Sequence, residues 1–192
     1  RLVAVPGALP AEAAVSARVR TLSALAGPRW TGAPPAALTL TLTPRSRSEA
    51  IDVAAAVREQ VADALDGYRK AAYCSLHTTA GYLDQSLTGR MHHHHGRVAQ
   101  FFDAWHAVFP PDAEYRHDQM ELRSELSDEQ KEVEPRNADS HLTFIGSGMR
   151  NCVTYRNEPP APVYFIDLDG TNGATRRERQ TTIVAYDEER VV

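Results

Sequence analysis

Three histidines in this chain sit where an imidazole can do chemical work. His77 follows a short apolar run and opens the turn His77-Thr78-Thr79-Ala80-Gly81. An imidazole placed where a buried strand meets a loop is held rigidly and stays accessible, as a metal ligand or general base must be. Thr78 and Thr79 add hydroxyls able to bond a phosphate or a metal-bound water. The plainer alternative is a strand-end histidine bonded to a carbonyl. His117 precedes a carboxylate in Tyr115-Arg116-His117-Asp118, a ligand beside a base, although such dipeptides are also common in polar loops. His141 ends the stretch Asn137-Ala138-Asp139-Ser140-His141. The spacing of His117 and His141 matches no compact zinc signature. A site made of His77, His117 and His141 must therefore be assembled by the fold. Three imidazoles with an open position suit zinc or a related divalent ion, whose bound water titrates near ~7.

A fourth group lies near the end of the chain. Asp167-Leu168-Asp169-Gly170 is followed by Thr171-Asn172-Gly173-Ala174-Thr175-Arg176-Arg177. Acidic residues at a strand end, a glycine-rich turn and two arginines suit an anion such as phosphate. An ordinary hairpin with a solvated basic edge has the same pattern. The run His92–His95 draws the eye, but its place between a Gly-Arg-Met segment and a helix favours an exposed loop. His106 falls inside that helix and reads as structural, as do Trp105 and the neighbouring phenylalanines.

Several elements must position these groups. Ala37–Thr43 alternates leucine and threonine, the pattern of a half-buried antiparallel strand. Ser46-Arg47-Ser48-Glu49 has the form of a capping box, and Ile51, Ala54, Val57, Val61 and Leu65 follow at helical spacing, with Gly67 as the stop. Ala71–Leu76 reads as the strand that carries His77. A second helix is expected from about Arg97 to Val108, with Pro110-Pro111 ending it. Glu114–Asn137 is polar and without periodicity, so a long surface loop is expected, and such loops are usually functional or mobile. His141–Ile145, Asn151–Tyr155, Val163–Leu168 and Thr181–Tyr186 read as strands. Strand-helix-strand-helix followed by a run of strands predicts an α+β domain with mainly antiparallel pairing. Residues 1–36, rich in Ala and Pro, read as an N-terminal extension with a helix over Ala11–Ala26, and residues 37–192 as the main domain.

Composition narrows the function. The chain has 192 residues, with 21 Lys+Arg against 25 Asp+Glu, a formal charge of -4. That balance argues against a dedicated nucleic-acid binder. Lys70 and Lys131 are the lysines, so nearly all positive charge is arginine. No stretch approaches the ~18 apolar residues of a membrane span. The two cysteines, Cys74 and Cys152, form no CxxC pair, and no secretory signal opens the chain, so a reducing cytoplasm is expected.

The motifs also occur in a recognisable order. A H-T-T-A-G turn after a strand, then Y-R-H-D, then N-A-D-S-H-L, then a strand ending in D-L-D-G with an arginine cluster, resembles the YjbQ family of small bacterial and archaeal proteins. Members are often labelled secondary thiamine-phosphate synthases. The resemblance runs from about Leu38 to the C-terminus. It implies a compact α+β fold around a mixed sheet and a homotrimer with sites near subunit interfaces. It also implies a site built from the His77 turn, the His117-Asp118 pair and His141, with a metal in place.

The chain departs from that pattern at several points. Gln85-Ser86 stands where the family reads N-E, so a carboxylate is lost beside Asp84. Pro159-Pro160-Ala161-Pro162-Val163-Tyr164 replaces the family's L-G-T-W-Q segment, and Asp169-Gly170-Thr171-Asn172 replaces its D-G-P-R turn. The reading is a divergent enzyme with a His-rich, divalent-metal site and a changed, small polar or phosphorylated substrate. His77, Asp118 and His141 would be catalytic, and His77, His117 and His141 would bind metal. Thr78, Thr79, Asn137, Ser140, Arg176 and Arg177 would hold the substrate. The alternatives are a metal-independent phosphate-transfer enzyme and an inert trimeric binding protein.

Overall fold

A computed structural model describes residues 14–21, 34–62, 64–111 and 113–187. The elements in order are β1 Ala14–Thr21, β2 Ala36–Thr43, β3 Glu49–Asp52, α1 Val53–Gln60, β4 Lys70–Ser75, β5 Ala80–Gly81, α2 Gln85–Arg90 and α3 His95–Val108. They continue with α4 Asp128–Val133, α5 Ala138–Gly146, β6 Cys152–Arg156, β7 Tyr164–Asp167, β8 Thr171–Asn172, β9 Thr175–Arg176 and β10 Arg179–Tyr186. Among the described residues every strand pairing is antiparallel. Five strands form one sheet in the order β1-β2-β10-β4-β6, and β3-β7-β5 form a second. This is the α+β, mainly antiparallel architecture expected.

The alternation seen in the sequence sets the sheet faces. Leu38, Leu40 and Leu42 of β2 are buried, as are Tyr73 of β4 and Ile183 of β10. They form one core with α1 and the second sheet. Its centre is aromatic: Tyr73 lies 5.7 Å from Tyr82, and Tyr82 meets Phe165 edge-on at 5.6 Å. All four residues of β7 are buried because each face of that strand meets a different core. Phe165 joins the first. Tyr164 and Ile166 join a second, with Val98 and Phe102 of α3 and Phe144 of α5.

Several expectations are corrected. Ala11–Ala26 is not a helix: its described part, Ala14–Thr21, is a strand that pairs along its whole length with β2. Alanine favours helix, but Val15 and Ala17 alternate with Ser16 and Arg18, and an open sheet edge rewards the period of two. Residues 11–13 and 22–26 lie outside the described residues. Ser46–Glu49 is not a capping box. The Ser46 hydroxyl donates to the Ser48 carbonyl at 2.8 Å, and Glu49 accepts from the Arg45 N–H at 2.6 Å. Glu49 therefore starts β3. The helix begins later, capped by the Asp52 carboxylate, which accepts from the Ala54 and Ala55 N–H groups at 3.1 Å. It ends at Gln60, short of Val61, Leu65 and Gly67.

His141–Ile145 is helical, not extended. Ala138, Asp139, Ser140, Thr143 and Phe144 of α5 are buried at helical spacing. Docking against α3 decides between two periods that the short apolar run left open. The polar stretch Glu114–Asn137 also holds more structure than a loop. It contains 3₁₀ turns at Arg116–Asp118 and Met120–Leu122, and α4, where Ser127 and Gln130 form a true capping box. Arg123 pins this stretch, donating to the His117 carbonyl at 3.2 Å and pairing with Glu125.

Candidate functional site

The site gathers around the carboxyl end of β7. Asp167 is fully buried, and the buried Arg179 of β10 grips it with two prongs, Nε to Oδ2 at 2.7 Å and Nη2 to Oδ1 at 3.1 Å. Nη2 also donates to the Asp169 carbonyl at 2.7 Å and to Thr79 Oγ1 at 3.4 Å. Thr79 is thus committed to holding Arg179. Gly170 follows where the chain passes tightly under Pro44 and Ser46; a Cβ there would stand 2.6 Å from the Ser46 carbonyl oxygen. The turn delivers Arg177, whose Nη2 lies 3.3 Å from Asp169 Oδ2.

Asp169 also accepts from Asn137 Nδ2 at 2.7 Å. Burial raises its carboxyl above the usual range, against that hydrogen bond and the charges of Arg177, Arg179 and Arg47. Ser140 is fully buried and donates to the Leu168 carbonyl at 2.6 Å. Its hydroxyl therefore ties α5 to β7. Two polar atoms here are buried without a hydrogen-bond partner among the described residues: Asn137 Oδ1 and Arg177 Nε.

His117 and His141 come together beside this network. Their ring centroids are 5.3 Å apart. His117 Nδ1 bonds Asp118 Oδ1 at 2.8 Å, which fixes the ring and leaves Nε2 at the far edge. Burial, then the neighbouring His117, pushes the His141 imidazole below its usual value, so it is neutral near pH 7. Arg47 completes the wall. It grips the fully buried Asp139 with two bonds of 2.7 Å. An open depression of about 710 Å³, lined by Arg47, Tyr115, Asp118 and Arg136, lies next to Asp118.

His77 stands apart from that pair. Its Nε2 accepts the Gln180 backbone N–H at 2.9 Å, so its remaining proton is on Nδ1. Its carbonyl accepts from Asn151 Nδ2 at 2.6 Å. Burial, then the charge of Arg179, lowers its pKa. This is close to the strand-end histidine held by backbone, although the partner is an N–H and not a carbonyl. Among the described residues no group of three or more His, Cys, Asp or Glu side chains is placed to hold a metal ion. His77, His117 and His141 are not gathered as one donor set among these residues. Thr78 and Arg176 are exposed.

The run His92–His95 makes a turn and a helix start. His92 and His93 have φ of 55° and 51°, and His95 opens α3 with its ring edge-on to Tyr164 at 5.7 Å. Gln85, at the place of the lost carboxylate, bonds the backbone of Arg156 on both sides, at 2.9 and 3.2 Å. It ties α2 to β6. Sequence reasoning missed Arg47, Asp139 and Arg179. A signal for Arg179 existed: it shares the inward face of β10 with Thr181, Ile183 and Ala185, and an arginine on a buried face requires an acidic partner.

No family profile and no curated protein matches the chain. Solved structures do. A hypothetical protein from Aeropyrum pernix K1 superposes with a TM-score of 0.50 at 15% identity, covering 79% of this chain and 98% of that one. A protein described as YbjQ-like and of unknown function, from Sulfolobus solfataricus P2, gives 0.50 at 13% identity and covers 91% of this chain and 100% of that one. The similarity at these identities is one of fold. The chain has the YjbQ-like fold, as the order of its motifs implied.

Proposed function

We propose that the chain is an enzyme that binds a small phosphate-bearing molecule beside α5 and moves a proton within it. One observation carries this reading: a neutral imidazole and an oriented His–Asp pair adjoin a network whose free polar atoms are a guanidinium N–H and an amide oxygen. The part-exposed Arg177 guanidinium donates to the anion, and a charge-assisted bond of this kind is worth ~1.5–3 kcal/mol. Asn137 Oδ1 accepts from a substrate N–H or O–H. His141 is the general base, and Asp118, accepting from His117 Nδ1–H, leaves His117 Nε2 bare, so that it takes up a proton and then hands it on. His77 orients the strand end through its backbone bonds. Such groups contribute ~10²–10⁴-fold each to rate. The resemblance to the YjbQ family adds the expectation of a homotrimer.

Calorimetric titration with inorganic phosphate and pyrophosphate, followed by a turnover screen of phosphate esters, tests the reading. Arg177→Met is expected to weaken binding by ~10–100-fold, the equivalent of one charged hydrogen bond. His141→Ala is expected to abolish turnover while leaving that affinity within a few-fold. Chelator treatment is expected to change neither. Equal affinity in Arg177→Met and wild type would overturn the anion site, and full turnover in His141→Ala would overturn the base.

A further inference from the structure

Cys74 and Cys152 face each other across the β4–β6 pair. The ladder pattern fixes what kind of pair this is. Ser75 N–H donates to the Asn151 carbonyl at 2.7 Å, and Asn157 N–H to the Arg69 carbonyl at 2.9 Å. Hydrogen-bonded positions alternate along an antiparallel ladder, so Cys74 and Cys152 occupy a non-hydrogen-bonded position between them. Opposed Cα atoms there stand ~4.5 Å apart, with side chains at their closest. That separation lies inside the ~4.4–6.8 Å range of disulfides.

Their surroundings differ in a useful way. β6 is an edge strand, and Cys152 is exposed on it. Cys74 is half-buried, and burial pushes its thiol up to about 12. The pair also sits directly below the His77 turn. Ser75 Oγ accepts the His77 N–H at 3.3 Å, and Asn151, next to Cys152, donates to the His77 carbonyl at 2.6 Å.

We propose that Cys74 and Cys152 are a reversible redox pair, closing to a cross-strand disulfide in the presence of a low-molecular-weight disulfide and stapling the strand end that carries His77. The exposed Cys152 thiolate attacks one sulfur of the small disulfide, whose S–S bond breaks and releases one thiolate. The Cys74 thiolate, its proton lost to solvent, then attacks the Cys152 sulfur and expels the second. Two protein thiols are oxidised and one small disulfide is reduced to two thiols. The slow second attack makes the mixed disulfide at Cys152 a visible intermediate.

Intact-mass spectrometry and thiol counting after equilibration in glutathione buffers test this. Wild type is expected to lose both free thiols and become lighter by two hydrogens, with a 74–152 linked peptide, and to recover fully with dithiothreitol. Cys74→Ser is expected to stop at one glutathionyl group on Cys152. Cys152→Ser is expected to keep Cys74 free. Wild type that retains two thiols in oxidised glutathione, that stops at the mixed disulfide, or that links only between chains would overturn the proposal.

Discussion

Asp118 caps a helix that starts far along the chain from it. Its Oδ1 accepts the backbone N–H of Ala138, the first residue of α5, at 3.1 Å. Asn137, in the N-cap position, makes no capping bond with its side chain, which is turned toward Asp169 instead. The same Asp118 oxygen bonds His117. One carboxylate thus anchors a helix and orients an imidazole, so the site is coupled to the helix that bears His141.

Replacing Asp118 separates those two duties. Asp118→Ala removes the cap and is expected to lower stability by ~0.5–2 kcal/mol. Asp118→Asn keeps an acceptor oxygen and is expected to lose less, while turnover falls in both variants because the carboxylate that orients His117 is gone. Urea unfolding beside activity distinguishes them. Equal stability of Asp118→Ala and wild type would refute the cap.

The Arg179–Asp167 pair predicts a larger effect. Both side chains are buried, at 7% and 0% exposure. Removing one partner of such a pair leaves an uncompensated charge and costs ~3–5 kcal/mol, whereas replacing both by apolar groups is often close to neutral. Arg179→Met should therefore unfold at much lower urea, and Arg179→Met with Asp167→Leu should recover most of the loss. A double variant as unstable as the sum of the singles would show that the pair is not coupled.

The two lowered histidines predict a pH dependence. His77 and His141 both have folded values below the unfolded value of ~6.5. The unfolded chain then binds more protons between those values, so stability is complete above ~6.5 and falls as the pH drops from there toward the folded pKa. Asp169 acts with the opposite sign in the carboxylate range, since burial raises its folded value. Denaturation midpoints across about pH 5–8 should slope upward, and less so in His141→Gln. NMR titration of His141 should shift upward in His117→Gln, which cannot become cationic. An unchanged His141 midpoint would remove the His117 contribution.

The sequence alone determined the sheet faces and most of the element order. Leucine alternating with threonine in β2 and the apolar spacing of α3 are local patterns, and a period of two or 3.6 needs no partner to be legible. The motif order pointed to the YjbQ-like fold and to one site made of the His77 turn, His117, Asp118 and His141; the structure brings the last three together and holds His77 on the backbone of β10 instead. Tertiary structure alone decided the rest. Whether Ala14–Thr21 and Ala138–Gly146 are strand or helix depends on an open edge and a docking face, because short runs satisfy both periods. Which arginines meet which carboxylates depends on contacts between distant strands. Arg47 with Asp139 and Arg179 with Asp167 are pairs that no spacing encodes, and they turn four charges of an acidic chain into the frame of its site.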